Sequence, residues 1–244
     1  MTVTVNCDMG EAFGLWSLGD DEALMPLISM ANVACGYHAG DPMVMRATVA
    51  AAKAEGVQVG AHPSYPDLQG FGRRPMEMGA EELTACILYQ AGALKAFLDE
   101  QDMPLSHLKP HGALYGRAAR DEATANAIAD AAEILGVPVL GMAGTQHEAV
   151  YAGRGIGFVA EYYVDLDYDD DGTVIVGRAA THRDLDQIDA KARRALVEGK
   201  TTSVSGTDID VTVESLCVHS DLPNAPEVAA RLRNLLDEWA AGTG

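Results

Sequence analysis

Two neighbouring apolar runs constrain the fold of this 244-residue chain more than any other feature. Residues 31–35 and 57–61 each have the length and composition of a buried β-strand, and residues 43–55 between them are predicted to form a helix. Asp41 suits the N-cap of that helix, and Gly56 suits its C-terminal end. A strand, a helix and a second strand in this order predict two neighbouring parallel strands.

Each of these two strands leads into a histidine. His38 lies between Gly36 and Gly40, which allow a tight turn or a close approach to a ligand. His62 precedes Pro63, which favours extended backbone at the histidine. A single such histidine is more often an ordinary buried residue than part of a site. Two of them at equivalent positions of successive units favour a functional site, because chemistry in β/α barrels lies where the strands end.

The strand–loop–helix unit recurs along the chain and predicts an α/β fold with a mostly parallel sheet. Five further strands are expected at residues 2–8, 105–109, 137–142, 157–163 and 211–218, with a short extra strand at 173–178. Helices are expected at 20–27, 80–101, 121–136, 145–152, 184–198 and 226–240. No Pro- or Ser-rich linker interrupts the pattern, so residues 1–244 are expected to form a single domain.

Six of the seven predicted strands end in a reactive side chain. The candidates are Asp8, His38, His62, Lys109 with His111, Glu161 and His219, and Glu11 in the first loop joins them. An open sheet would spread these groups along an edge, whereas a closed barrel would gather them at one mouth. We therefore predict a seven-stranded, TIM-like β/α barrel with its site at that mouth.

Composition and charge exclude several classes of function. The chain is 48% hydrophobic and 22% charged, as in ordinary globular proteins, and its formal net charge is −19. That charge argues against nucleic acid and anionic membranes as partners. No signal peptide or membrane-spanning run is recognisable, and the four cysteines have no CxxC spacing, so a cytoplasmic protein with free thiols is expected.

Phosphate- and calcium-binding motifs are missing from the sequence. Residues 199–201 read Gly-Lys-Thr, but Arg194 stands where a P-loop requires glycine. The aspartate-rich segment 165–171 lacks the spacing of an EF-hand loop and is interpreted as a solvated hairpin. Three of the four cysteines, Cys7, Cys35 and Cys217, lie near predicted strand ends. Each is interpreted as a small buried apolar residue, and a nucleophilic cysteine is the alternative.

Five segments of the chain together resemble one protein family. They are NCDMGEAFG, ANVACGYHAGDP, GAHPSYPDLQGFGRR, LKPHGALY and LCVHSD, in the order found in the LamB/YcsF family. The resemblance covers nearly the whole chain. It implies a seven-stranded β/α barrel of the glycoside hydrolase/deacetylase type. It also implies the A subunit of a bacterial 5-oxoprolinase, which opens 5-oxo-L-proline to L-glutamate with ATP and Mg²⁺ and works beside separate B and C subunits.

This resemblance gives the strand-end residues provisional roles. Asp8 or Glu161 is the expected general base for the attacking water. The groups expected to stabilise the oxyanion, the phosphate and other anionic charge are His38, His62, His111 and Lys109.

One departure from the family pattern affects the expected substrate contacts. Leu166 stands where the family commonly has an arginine, so a charge-assisted contact is missing. Arg73, Arg74 or Arg178 are the candidates to replace it, and Asp221 is the fourth candidate for substrate binding.

Two other functions fit the same residues. Asp8, His38 and His62 have the composition of a two-histidine, one-carboxylate metal site, which suits a stand-alone metal-dependent amidase or deacetylase. The chain is alternatively a non-catalytic subunit that only holds a lactam. Whether the site takes a metal stays open at this point. The loop 63–78, with Phe71, is expected to contact partner subunits or to cover the substrate.

Overall fold

Six parallel strands form one curled sheet, and helices pack against it, in a computed structural model that describes residues 3–177 and 180–242. The strands are β1 Thr4–Met9, β2 Met30–Ala34, β3 Gln58–His62, β4 Val139–Gly141, β5 Phe158–Tyr163, β6 Asp167–Tyr168, β7 Val174–Ile175, β8 Lys200–Thr202, β9 Asp208–Asp210 and β10 Ser215–His219. The large sheet has the order β3-β2-β1-β10-β5-β4. The remaining strands form two antiparallel pairs, β6 with β7 and β8 with β9.

Eight helices connect these strands in the described part of the chain. They are α1 Asp21–Leu24, continued by a 3₁₀ turn Met25–Leu27, α2 Pro42–Glu55, α3 Ala80–Glu100, α4 Gly112–Ala118, α5 Glu122–Leu135, α6 Gln146–Gly153, α7 Leu185–Glu198 and α8 Ala225–Ala240. None of these helices combines the length and the apolar character that crossing a bilayer requires.

Capping residues explain why the predicted helix boundaries agree closely with the observed ones. The Asp41 carboxylate accepts hydrogen bonds from the backbone N–H groups of Met43 and Val44 at the start of α2. Gly56 ends α2 with a φ of 71°, a left-handed conformation that glycine adopts without strain. Asp121 and Gly136 bound α5 in the same way.

The predicted strand 105–109 is reduced to a single bridging residue. Leu108 forms isolated parallel bridges to Ala61 in β3 and to Val139 in β4. Pro110 follows and has no N–H to extend the hydrogen-bond ladder. The prediction of an α/β fold with a parallel sheet is confirmed. The seven-stranded barrel is not, because the sheet is a curled half-barrel of six strands.

Two further elements had no counterpart in the expectations, namely α4 at residues 112–118 and the β8–β9 pair in the segment 200–210. The predicted extra strand 173–178 is present as the shorter β7, which pairs with β6 in the aspartate-rich segment, and residue 178 lies outside the described residues. That the whole chain is one domain stays a prediction.

Apolar and polar side chains alternate along β1, so that one face of the strand joins the apolar core and the other joins the polar interior of the curled sheet. Val5, Cys7 and Met9 belong to the hydrophobic core. Asn6 and Asp8 are equally buried but point to the opposite face, since successive strand side chains alternate. A buried polar face requires internal partners for each group, and these partners form the site.

Gly60 in β3 leaves the space that the His107 ring occupies, which yields a test of the packing. A Cβ at residue 60 would lie 2.2 Å from the His107 imidazole. We expect Gly60→Ala to lower the free energy of unfolding by about 1–3 kcal/mol, as overpacking does. Urea denaturation measures this change.

Gly92→Ala is the matched control for that substitution. Gly92 lies within α3, where no neighbouring atom comes within 4 Å of an added Cβ. Alanine should stabilise the helix there by about 0.5–1 kcal/mol. Unchanged stability of Gly60→Ala would contradict the packing described for His107.

Candidate active site

The centre of the site is the buried ammonium group of Lys109. Its Nζ lies 2.8 Å from Asp8 Oδ1 and 2.9 Å from Glu161 Oε1. It also donates a hydrogen bond to Cys217 Sγ at 3.1 Å. Burial lowers the pKa of the ammonium, but the carboxylates of Asp8 and Glu161 outweigh burial and raise that pKa well above its ordinary value. Lys109 is therefore a permanent cation in the interior of the sheet.

The two carboxylate oxygens of Asp8 have different partners. Oδ1 accepts hydrogen bonds from Lys109 Nζ at 2.8 Å and from Asn32 Nδ2 at 2.9 Å. Oδ2 lies 3.3 Å from His62 Nε2 and 3.8 Å from His219 Nε2. Burial raises the Asp8 pKa, but His62 and Lys109 overcome it and hold that pKa well below its usual value. Asp8 is therefore an ionised carboxylate with one anchored oxygen.

A chain of amide and imidazole groups anchors this carboxylate from behind. Asn32 Nδ2 also donates to Asn6 Oδ1 at 2.9 Å, and His107 Nε2 donates to Asn32 Oδ1 at 2.8 Å. Burial and Lys109 lower the His107 pKa to about 3, so its ring is neutral. Sequence analysis missed these three residues. The two-residue repeat of a strand could have indicated two of them, because residues two positions apart point to the same face. Asn6 lies two positions before Asp8, and His107 lies two positions before Lys109.

Three histidine rings and Glu11 form a second cluster beside Asp8. His62 Nε2 and His111 Nδ1 face each other at 2.9 Å, and the His38 ring stacks on His111 at 3.8 Å. Glu11 Oε1 lies 3.1 Å from His38 Nε2 and 3.5 Å from His111 Nδ1. Burial lowers the pKa values of His38 and His111 well below the ordinary value. Burial also raises the Glu11 pKa.

The loop 63–78 forms the wall behind these histidines. The Phe71 ring packs edge-on against His38 and His111, with centroids 5.5 and 5.1 Å apart. Phe71 has a φ of 53°, a left-handed conformation that is uncommon for a bulky residue, and its carbonyl accepts a hydrogen bond from His111 Nε2. The Phe71 ring thus packs on the histidines of the site, and a contact of the loop 63–78 with partner subunits, or its covering of the substrate, stays a prediction.

His219 is the second cation of the site. Its Nδ1 and its backbone N–H both donate to Asp165 Oδ2 at 2.9 Å. Burial lowers the His219 pKa, but Asp165 more than compensates and raises it to about 9. The imidazolium Nε2 points towards Asp8. Asp165 was noted in the sequence without being assigned to the site, although it fixes the charge of His219.

A small cavity lies at the carboxyl ends of the strands. Its volume is about 30 Å³, which is room for roughly two water molecules. The polar lining residues are Asp8, His62, Arg73, Lys109, His111, Tyr115, Tyr163 and His219. Leu166 and the β6–β7 hairpin residues Val174 and Val176 complete the lining with apolar side chains. A larger ligand therefore requires displacement of this hairpin or of Arg73.

The predicted catalytic residues converge at this place. Asp8, His62, Lys109, His111 and His219 line the cavity. The buried residues Glu161, His38 and Glu11 lie directly behind them, in contact with Lys109 or with the other histidines.

Only some of the predicted substrate-binding residues lie at the cavity. Arg73 lines the cavity and donates to Asp221 Oδ2 at 2.7 Å. Arg74 pairs with Asp67 within the loop 63–78, and its side chain is 61% exposed, so a substrate contact is not supported for it. Arg178 lies outside the described residues.

The cysteines near the strand ends are unreactive small residues. Cys7, Cys35 and Cys217 are fully buried. Burial raises the pKa of each thiol, to about 12 for Cys35, so none is a thiolate at neutral pH. The nucleophile alternative is therefore not supported.

The pH dependence of stability tests the protonation of His219. Its pKa rises from 6.5 in the unfolded chain to about 9 in the fold. The resulting stabilisation is fully present below about pH 6.5 and is lost as the pH rises through 9. The free energy of unfolding lost in His219→Gln should be about 1–3 kcal/mol greater at pH 6 than at pH 9.5.

His182→Gln, at an exposed histidine, is the control for that measurement. Chemical denaturation of the three proteins at both pH values gives the comparison. An equal loss for His219→Gln at pH 6 and pH 9.5 would show that Asp165 does not hold the proton.

Comparison with known proteins agrees with the fold. The chain is 44% identical over 239 residues to the lactam utilization protein lamB of Emericella nidulans, covering 96% of this chain and 94% of that protein. It is 43% identical over 247 residues to the A subunit of 5-oxoprolinase from Streptomyces coelicolor, with 99% and 98% covered. The crystal structure of a lactam utilization protein from Thermus thermophilus matches with a TM-score of 0.89 and 41% identity over 98% of both chains. The LamB/YcsF family model matches residues 3–242, and the chain therefore belongs to the LamB/YcsF family.

Proposed function

We propose that this protein is the A subunit of a 5-oxoprolinase, which hydrolyses the lactam of 5-oxo-L-proline to L-glutamate with ATP. The observation that carries the proposal is the similarity, at 43–45% identity and over almost their whole length, to proteins named as A subunits of 5-oxoprolinase. The buried acid–base cluster beside a polar cavity supports hydrolytic chemistry at this site.

The chemistry of the lactam explains the need for ATP. A five-membered lactam is an unstrained amide that water attacks slowly, and ring closure is favourable. Phosphorylation of the lactam oxygen makes the carbonyl carbon a good electrophile. Water attack then requires a base to accept a proton and donors to stabilise the tetrahedral oxyanion.

Asp8 is the better candidate for the base. Its Oδ2 faces the cavity side of the cluster, while Oδ1 is fixed by Lys109 and Asn32. Glu161 is less suited, because one oxygen pairs with Lys109 and the other accepts the Tyr163 hydroxyl at 2.8 Å. The low pKa of Asp8 makes it a weak base, which suffices when the electrophile is already activated.

Positive charge at the cavity suits an anionic intermediate. The ammonium of Lys109 and the imidazolium of His219 both line it, whereas His38 and His111 are held neutral by burial. We therefore assign the stabilisation of the oxyanion and the phosphate to Lys109 and His219 before the other histidines.

Arg73 is the proposed contact for the substrate carboxylate. Leu166, which stands in place of the family arginine, contributes an apolar part of the same cavity wall. The Arg73 guanidinium lies across the cavity mouth, paired with Asp221, and a carboxylate can accept hydrogen bonds from the same planar group.

We propose that separate B and C subunits complete the enzyme. The relatives are named as one lettered component of 5-oxoprolinase, which describes a multi-subunit enzyme. No phosphate-loop motif occurs in the sequence, so ATP with Mg²⁺ is assigned to the complex rather than to this chain alone. The four free cysteines suit a reducing compartment such as the cytoplasm.

Substitution of Asp8 tests the proposed base. Asp8→Asn keeps the shape and the contact with Lys109 but removes the proton acceptor. Turnover of 5-oxoproline by the complete complex should fall by roughly 10²–10⁴-fold. Glutamate release and circular dichroism measure activity and folding together.

Asp99→Asn is the control, because Asp99 is an exposed carboxylate on α3. It should leave turnover unchanged. A folded Asp8→Asn protein with full activity would make Asp8 a structural residue only.

The isolated chain provides a second test. Purified alone and mixed with ATP, Mg²⁺ and 5-oxoproline, it should release no glutamate above the uncatalysed background. Addition of the B and C subunits should restore the reaction. Robust ATP-dependent release without partners would reveal a nucleotide site within this chain.

A metal-dependent amidase or deacetylase is the second candidate. The cluster of Glu11, His38, His62 and His111, with ligand atoms within 4.8 Å of one another, favours it. Hydrolysis of a small amide without ATP, lost on addition of a chelator, would distinguish it from the first function. Lactam binding without any turnover in the full complex would instead indicate a purely binding role.

A further inference from the structure

We propose that Glu11, His62 and His111 form a binding site for one divalent transition-metal ion of the Zn²⁺ type, with His38 positioning the Glu11 carboxylate. This inference goes beyond the proposed lactam hydrolysis and does not depend on it. It follows from the direction of the ring nitrogens, from the separations of His111 Nδ1 from the other two ligand atoms, and from the 4.8 Å within which the ligand atoms of the cluster lie.

Backbone carbonyls determine which nitrogens are available. His62 Nδ1 donates to the Lys109 carbonyl at 2.7 Å, and His111 Nε2 donates to the Phe71 carbonyl at 2.8 Å. The outer nitrogen of each ring therefore carries a proton, and in the neutral form of either ring the inner nitrogen carries a lone pair. Metal-binding histidines in proteins typically make this outer hydrogen bond, which orients the ring.

The inner nitrogens of His62 and His111 are so close that their lone pairs would repel each other without a positive charge between them. His62 Nε2 and His111 Nδ1 lie 2.9 Å apart with the rings at 86° to each other. Two lone pairs at this distance repel unless a positive centre lies near both. The centre is either a shared proton or a metal ion.

The distances suit a metal ion. Ligand atoms at about 2.0–2.2 Å from one ion are separated by about 2.9–3.6 Å at tetrahedral or octahedral angles. The His62–His111 nitrogen separation is 2.9 Å, and Glu11 Oε1 lies 3.5 Å from His111 Nδ1. Two histidines and one carboxylate leave open positions on the ion, as in sites that also bind water or substrate.

His38 has a different part in this arrangement. Its ring stacks on that of His111 at an angle of 4°, and one of its nitrogens lies within 4.8 Å of the ligand atoms of the other three residues. We assign His38 to positioning rather than to coordination because its Nε2 donates to Glu11 Oε1 at 3.1 Å. Ser220 Oγ donates to the other Glu11 oxygen at 3.3 Å, so the carboxylate is fixed from both sides.

Asp8 is not a member of this set, which differs from the set expected from the sequence. Its Oδ1 is committed to Lys109 and Asn32, and although Oδ2 lies 3.3 Å from His62 Nε2, Asp8 is not in the group whose ligand atoms all lie within 4.8 Å of one another.

Metal titration of the untagged protein tests the site. The chain is stripped with EDTA, dialysed and titrated with Zn²⁺ by calorimetry and with Co²⁺ by visible absorption. We expect one ion per chain. Glu11→Gln and His111→Gln should each weaken binding at least 100-fold, because each removes one of only three ligands. Circular dichroism monitors folding.

His182→Gln is the matched control and should bind like the wild type, because this histidine is exposed. Absence of stoichiometric binding to the wild type, or wild-type affinity in both folded ligand variants, would overturn the proposal. No lactam or ATP is present, so this result is independent of the test of Asp8 in the complete enzyme.

Nitrogen NMR of the wild type decides between a metal and a proton even if the variants do not fold. The ring nitrogens of His62 and His111 should shift on addition of Zn²⁺ in a one-to-one ratio. Signals of a shared imidazolium proton that are unchanged by Zn²⁺ would overturn the proposal and identify the positive centre as a proton.

Discussion

The ion pairs of Lys109 are the contact on which the rest of the site depends. A buried ammonium is stable only when carboxylates and hydrogen-bond acceptors replace the water that it has lost. Its partners Asp8, Glu161 and Cys217 lie on three different strands, and Lys109 itself lies in the segment that bridges β3 and β4. Loss of either carboxylate leaves the buried ammonium undercompensated, and breaking a buried ion pair typically costs about 3–5 kcal/mol. The same contact thus fixes the interior of the sheet and orients Asp8.

The location of the site was predictable from the sequence because strands have simple geometry. Parallel strands end at one edge, so a reactive residue at each strand end is enough to place the groups together. Asp8, His62 and His219 are examples, and all three line one cavity. Helix caps were predictable because they depend on local backbone geometry rather than on the tertiary fold. Asp41 accepts hydrogen bonds from the first N–H groups of α2, and Gly56 adopts the left-handed conformation that ends the helix.

The contacts and protonation states were not predictable, because they join residues that are far apart in the chain. Lys109 and Asp8 are separated by 101 positions, and His219 depends on Asp165, 54 positions away. Composition cannot distinguish Arg73, which lines the cavity, from its neighbour Arg74, which pairs within the loop. The segment 105–109 has the residues of a strand, but it meets each neighbouring strand through only one bridging residue.

That bridging segment also protects the sheet from association with other chains. β3 and β4 are the outer strands of the six-stranded sheet, and exposed strand edges are templates for aggregation. Ser106 and Lys109 donate backbone hydrogen bonds to β3, while Leu108 donates to Pro138 and accepts from Leu140 in β4. One short segment therefore covers two edges. A local opening here would expose both edges together, so colloidal stability and the integrity of the Lys109 ion pairs depend on the same few residues.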